Sequence, residues 1–160
     1  MKREGILNRK LLEAIGGIGH TQIMVIADAG LPVPDTAERI DLAVAADLPT
    51  VPQVLELVQN EMIYEKVIVA EEQKLYNPEH HRRICDIVRF CQVETVPHDV
   101  LLSELLPKAK YVVRTGSFEP WGNVMLVAGI DANAWFGKPG VITPDYYEER
   151  AKVVQKGGMT

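Results

Sequence analysis

Cysteine is nearly missing from this chain: Cys85 and Cys91 are the only two in 160 residues. Two thiols six positions apart form neither a disulfide framework nor a CxxC motif. The expectation is two reduced thiols in one helix, one or both buried. Long apolar runs are missing too. None approaches the roughly 20 residues of a membrane span, and the opening MKREGILNRK lacks the apolar centre of a secretion signal. An excess of positive charge is also absent. The net charge of −5, with lysines and arginines scattered among acids, excludes the clustered basic face that binds nucleic acid. These absences predict a soluble cytoplasmic protein with neither membrane nor nucleic-acid partners.

Apolar residues are plentiful, at 47%, enough in a chain of this length for one domain with a sizeable core. LNRKLLEAIGGIGH carries Leu11, Leu12, Ile15 and Ile18 at helical spacing. Asn8 is placed to cap it, and Gly16, Gly17 and Gly19 close it just before His20. QIMVIADAG is a continuous apolar run, as in a strand buried on both faces. RIDLAVA, EKVIVAEE, VETVPH, YVVRTG and NVMLVAG read as further strands. VPQVLELVQNEM reads as a helix. Asn77 with Pro78 starts another that runs through HHRRICDIVRFC, and DVLLSELLPKA, with Asp99 as N-cap, is ended or kinked by Pro107. Strands alternating with helices predict an α/β layered sheet with flanking helices. After Gly129 the pattern turns irregular, with a short helix from about Pro144. Residues 131–160 are too few for a core of their own, so this extension is expected to pack on domain 1–130 or on a neighbouring subunit. Truncation after Gly129 should leave the fold intact.

The glycine cluster before QIMVIADAG is not a phosphate cradle. Such a cradle needs its glycines after a strand and opening a helix, whereas these close a helix and precede a strand. The spacing is GGxG rather than GxGxxG, and no Walker lysine follows. What remains are two polar residues at the ends of one strand, His20 and Asp28. Eight residues at about 3.3 Å each separate them by roughly 25 Å. In one flat strand they cannot share a site within a single subunit. Either the chain turns back, or the site is completed across a subunit contact. Taken alone, Asp28 also suits a loop cap at Gly30, and His20 a helix-terminus hydrogen bond.

These residues do not stand alone. GHTQIMVIADAGLPVP, RIDLAV, the isolated His98 before a helix, and RTGSFEPWGN together resemble the D-ribose pyranase and L-fucose mutarotase (RbsD/FucU) family over nearly all of residues 1–130. DAGLPVP is similar to the ribose branch. The resemblance implies ring-like homo-oligomers, commonly decamers, with sugar sites at subunit interfaces. It makes His20 the acid/base histidine and Asp28 and His98 sugar contacts, so that catalysis would rest on His20, Asp28 and His98. The stretch Trp121, Gly122 and Asn123 would close the pocket. Arg114 lies in the matching motif without an implied sugar contact. Ribose-type members carry a tyrosine where this chain has Trp121, and a lysine where it has Leu102.

Interconverting the ring forms of a reducing sugar needs no redox step, metal or other cofactor. One group protonates the ring oxygen while another takes the anomeric proton, and imidazole exchanges protons near neutral pH. His20 after a helix C-terminus is expected as the acid, and His98 before a helix as the neutral base or hydrogen-bond partner. Asp28 would orient His20 or grip hydroxyls, Asn123 offers a donor and an acceptor, and Trp121 an aromatic face. His80 and His81, adjacent in a helix and followed by Arg82 and Arg83, are expected on a solvated face rather than at a metal. Glu71 and Glu72 should end a strand, and Asp131, Asp145, Glu148 and Glu149 should lie on the tail surface. The alternative from another class is a non-catalytic sugar-binding or assembly protein on the same scaffold.

Overall fold

The structure, a computed structural model, describes residues 2–88 and 91–148. The strands are β1 (Ile23–Ala27), β2 (Glu38–Asp41), β3 (Tyr64–Ala70), β4 (Val93–Val96), β5 (Ala109–Arg114) and β6 (Val124–Ala128). They form one sheet in the order β2–β5–β1–β6–β3–β4. β5 runs parallel to both β1 and β2, and β4 parallel to β3, while β6 runs antiparallel to both of its neighbours, β1 and β3. Five strands therefore point one way and β6 the other. One edge of the sheet collects the carboxyl ends of five strands together with the start of β6. The opposite edge collects their amino ends and the end of β6.

The apolar run in β1 has the reason expected of it. All five of its residues are buried, and they alternate between two cores. Met24 and Ile26 join Leu11, Val54, Leu55 and Ile84 beneath three helices, α1 (Arg9–Gly17), α2 (Val51–Val58) and α4 (Pro78–Ile87). Ile23, Val25 and Ala27 pack on the other face with Leu31, Leu101, Leu106 and Val112. Asn8 caps α1 as expected, its side chain accepting the Leu11 amide at 3.0 Å. Thr50 and Gln53 form a reciprocal capping box at the start of α2. Among the described residues no helix is long and apolar enough to cross a membrane.

Several expectations are corrected. Glu71 and Glu72 do not end a strand but open a short helix, α3 (Glu71–Tyr76), which precedes α4 and exposes two acids to its positive end. Helix α4 stops at Ile87, so Cys91 is not in it; Arg89 and Phe90 lie outside the described residues. Neither thiol is fully buried, Cys85 being exposed and Cys91 half-buried. Asp99 is not an N-cap. The helical segment begins one residue earlier as α5 (His98–Val100), with Pro97 at the cap, and the His98 amide is taken by Glu72 Oε2 at 3.0 Å. The segment widens to a π-helical turn over Leu101–Leu105 and tightens to a 3-10 turn over Leu106–Lys108, where Pro107 has no amide to give. The stretch read as irregular after Gly129 contains α6 (Ala132–Phe136), capped by Asp131, whose side chain accepts the Ala134 amide. Asp131 is thus a half-buried cap rather than open surface. A helical turn follows over 145–148, close to the expected start at Pro144, and Glu149 lies outside the described residues.

Candidate functional site

Five of the singled-out residues meet at the carboxyl edge of the sheet. Asp28 leaves β1, His98 follows β4, and Trp121, Gly122 and Asn123 lead into β6. Asp28, His98, Trp121 and Asn123 line a cavity of about 320 Å³ with Leu31, Pro32 and Leu102. An adjoining cavity of about 490 Å³ shares Asp28, Gly30, Pro120 and Trp121 and extends to Arg114 and Ser117. Both volumes suit a small ligand, and clefts at this edge are the usual binding place in open α/β sheets.

Asp28 and Asn123 are locked together. The Asp28 amide donates to Asn123 Oδ1 at 2.9 Å, and Asn123 Nδ2 donates back to Asp28 Oδ2 at 2.7 Å. Asp28 Oδ1 accepts the Gly30 amide at 2.9 Å, so the loop-cap reading and the cavity-lining position hold together for the same carboxylate. Asn123 is only 4% exposed, which leaves at most its second amide hydrogen and second lone pair for a ligand. Arg114 makes its hydrogen bonds to groups other than this pair. Its Nε donates to the Ala29 carbonyl, and Nη1 pairs with Asp41 at 3.1 Å, tying the β1 exit to β2. Trp121 is half-buried, holds a left-handed backbone (φ 52°) and packs its ring 5.4 Å from that of Tyr76. Gly122 allows no side chain, since a Cβ there would lie 2.8 Å from the Glu119 carbonyl oxygen.

The backbone of this segment is held from behind by Gln73, which the sequence did not single out, and by His80, expected on a solvated face. Gln73, fully buried in α3, donates from Nε2 to the Trp121 carbonyl at 2.8 Å and, at 3.5 Å, to that of Asn123. His80 of α4 donates from Nε2 to the carbonyl between them, that of Gly122, at 3.2 Å. His81 Nδ1 donates to Gln73 Oε1 at 3.2 Å and completes the amide's partners, while the Cys85 thiol lies 3.5 Å from His81 Nε2. The expectation of a solvated face therefore fails for His80, which is 2% exposed, and for half-buried His81. Burial lowers the pKa of His80 below the usual 6.5 and does the same to His81. His80 Nδ1 is buried with no hydrogen-bond partner among the described residues, which also suits the neutral ring. The signal was in the spacing: His80 and Ile84, four apart, are the two buried residues of α4.

His20 does not join this group. It lies at the opposite edge of the sheet, beyond the amino end of β1, as the strand-length estimate requires. There its Nε2 sits 3.0 Å from Glu65 Oε2 at the start of β3 and 3.4 Å from the Tyr147 hydroxyl of the tail. Glu65 thus forms an ion pair with this ring when the imidazole is protonated. The chain does not turn back, and each chain carries two separate groups: His20 with Glu65 and Tyr147 at one edge, and Asp28, His98, Trp121 and Asn123 at the other.

Comparison with known proteins matches this architecture. The model of the RbsD / FucU transport protein family matches residues 1–131. The chain is 45% identical over 151 residues to D-ribose pyranase 2 of Rubrobacter xylanophilus, covering 94% of this chain and 98% of that protein. It is 38% identical over 131 residues to D-ribose pyranase of Geobacillus thermodenitrificans, covering 82% of this chain and 98% of that one. Among solved structures, Bacillus subtilis RbsD complexed with D-ribose superposes with a TM-score of 0.76 at 40% identity, covering 81% of this chain and 98% of that chain. The fucose mutarotase of Streptococcus pneumoniae in complex with L-fucose, at 18% identity, a TM-score of 0.61 and coverage of 78% and 94%, shares the fold.

Proposed function

For a chain that belongs to the RbsD/FucU family, we propose the activity of a D-ribose pyranase: an isomerase that interconverts the ring forms of free D-ribose by proton transfer alone, without a cofactor. The observation that carries the reading is the Asp28–Asn123 clamp beside His98, Leu102 and Trp121, lining a sugar-sized cavity. It occurs in a chain 45% identical to a D-ribose pyranase along nearly its whole length.

In this reading Asp28, Asn123 and His98 grip hydroxyls, and the Trp121 face packs against the C–H side of the sugar. His20 of a neighbouring subunit completes the site, because its own chain holds it at the far edge of the sheet. His20 protonates the ring oxygen as the anomeric hydroxyl gives its proton to a base, for which His98 is the proposed group. The C1–ring oxygen bond breaks, C1 becomes the aldehyde carbon, and closure on a different hydroxyl returns both protons. Catalysis then needs an oligomer with head-to-tail contacts, ring-like and decameric on the family pattern. Residues 1–130 form the mutarotase domain and 131–160 an extension that packs on the domain or a neighbour, of which residues 149–160 lie outside the described residues.

Saturation-transfer NMR on equilibrated D-ribose with catalytic amounts of protein tests this. Accelerated pyranose–furanose exchange is expected, and its loss in His20→Ala. Exchange that survives in that variant overturns the role of His20. A second reading, a non-catalytic sugar binder, draws on Leu102, an apolar residue on the cavity wall. Equimolar shifts in the sugar spectrum without faster exchange would favour it.

A further inference from the structure

The tail reaches His20 by a built path. β6 is the strand that runs against the others, so the chain leaves it at the edge where His20 lies, and α6 follows at once. Ala132 of α6 is buried, and the Phe136 ring packs 5.0 Å from that of Tyr147. The Tyr146 ring flanks Tyr147 at the same distance, and a turn closes by the Tyr147 amide donating to the Pro144 carbonyl at 2.8 Å. Tyr147 is consequently 9% exposed although it comes from a surface extension, and its hydroxyl lies 3.4 Å from His20 Nε2. The Glu65 carboxylate, with only 14% of its side chain exposed, is 3.0 Å from the same nitrogen. The imidazole keeps about a third of its surface open, at 35%.

The carboxylate at this ring nitrogen sets the tautomer, and the Tyr147 hydroxyl beside it restricts the ring's rotation. An ionised carboxylate can only accept, so Nε2 carries the hydrogen and donates to Glu65, with the Tyr147 hydroxyl oxygen alongside. The nitrogen left to meet a ligand is then Nδ1. We propose that Tyr147, delivered by the C-terminal tail, is a positioning residue for His20, fixing with Glu65 the ring orientation and the Nε2–H so that Nδ1 of the imidazolium gives its proton to the sugar ring oxygen and the neutral Nε2–H ring left behind takes one back from the hydroxyl that closes the new ring.

This deepens the proposed function and rests on it for the sugar step, while the tautomer does not. It also places a functional residue beyond position 131, where the family match ends. Relatives differ here: the Rubrobacter protein aligns over 151 residues, a span that must include position 147, while the shorter Geobacillus protein aligns over 131.

The test uses the full chain and Tyr147→Phe, which keeps the ring between Phe136 and Tyr146 and removes only the hydroxyl, with Tyr147→Ala as a second variant. Two readouts are taken: the ¹⁵N chemical shifts of His20, which report the tautomer ratio, and kcat and KM for ribose ring exchange. In the wild type the neutral ring is expected as Nε2–H. Tyr147→Phe should raise the Nδ1–H fraction and lower kcat about fivefold, the size of one ordinary hydrogen bond. KM should stay within about twofold, because the residue acts through another group. Tyr147→Ala should do the same more strongly. Wild-type tautomer ratio and kcat in Tyr147→Phe would overturn the inference, as would a wild-type ring found as Nδ1–H. Should the wild type leave ribose exchange unaccelerated, the proposed function fails, and the ¹⁵N spectra of wild type and Tyr147→Phe still decide whether Tyr147 sets the tautomer.

Discussion

Protonating His80 would put a charge where the protein has buried an imidazole whose Nε2–H already holds the Gly122 carbonyl. Burial keeps its pKa below 6.5, so the unfolded chain takes up a proton at a pH where the folded one does not. The stability this group contributes is complete above about pH 6.5 and is lost as pH falls through that value towards the folded pKa. Thermal unfolding followed from about pH 8 to pH 5 should show the midpoint dropping on the acid side, and His80→Gln should flatten that slope. An equal slope in the variant would assign the acid sensitivity to other groups. Gln73 offers a second test at this scale. Gln73→Ala leaves the Trp121 carbonyl without its 2.8 Å donor and should cost about 1–3 kcal/mol in denaturant unfolding. Because the released backbone forms the cavity wall, KM for ribose should rise as well.

At the scale of elements, much of the fold is legible because each signal is local. Asn8 at the start of α1, the buried alternation of β1, and Pro107 in the α5 segment all act within a few residues of themselves. Asn8→Ala should therefore cost about 1 kcal/mol, read as a shift in unfolding midpoint with no change in denaturant slope. Helix α3 escaped notice because its six residues follow β3 without a break and no side chain caps it. His80 was hidden by its polar neighbours, although its spacing from Ile84 marked the buried face of α4. Glu65 and Tyr147 gave no local sign at all, since the contact with His20 spans 45 residues in one case and 127 in the other. Truncation after Gly129 bears on the same element. It should leave the six-stranded sheet intact by circular dichroism and lower kcat at least as far as Tyr147→Ala does.

The whole molecule explains why the candidate site residues could be named from the sequence before any single site could be drawn. His20 and Asp28 flank β1, and a five-residue buried strand cannot bend them together. In the proposed assembly each site takes its histidine from one protomer and its aspartate from the next. Neither His20→Ala nor Asp28→Asn should catalyse alone. Co-assembled at random in equal amounts, they should recover about a quarter of the wild-type sites, because each intact site needs one good edge from each variant. Mixing followed by the ring-exchange assay checks this, and no recovery would indicate sites contained within one protomer. Light scattering on the same samples should report an oligomer throughout.

In the proposed ring, the separation of the two groups by β1 would make each protomer a shared member of two adjacent sites. A protomer damaged at both edges would therefore silence two sites rather than one. In a mixed population the surviving activity would follow the square of the intact fraction, so faulty chains would cost more sites than their share alone. Damage confined to one edge would be diluted only in proportion, giving the two kinds of lesion different dose dependences.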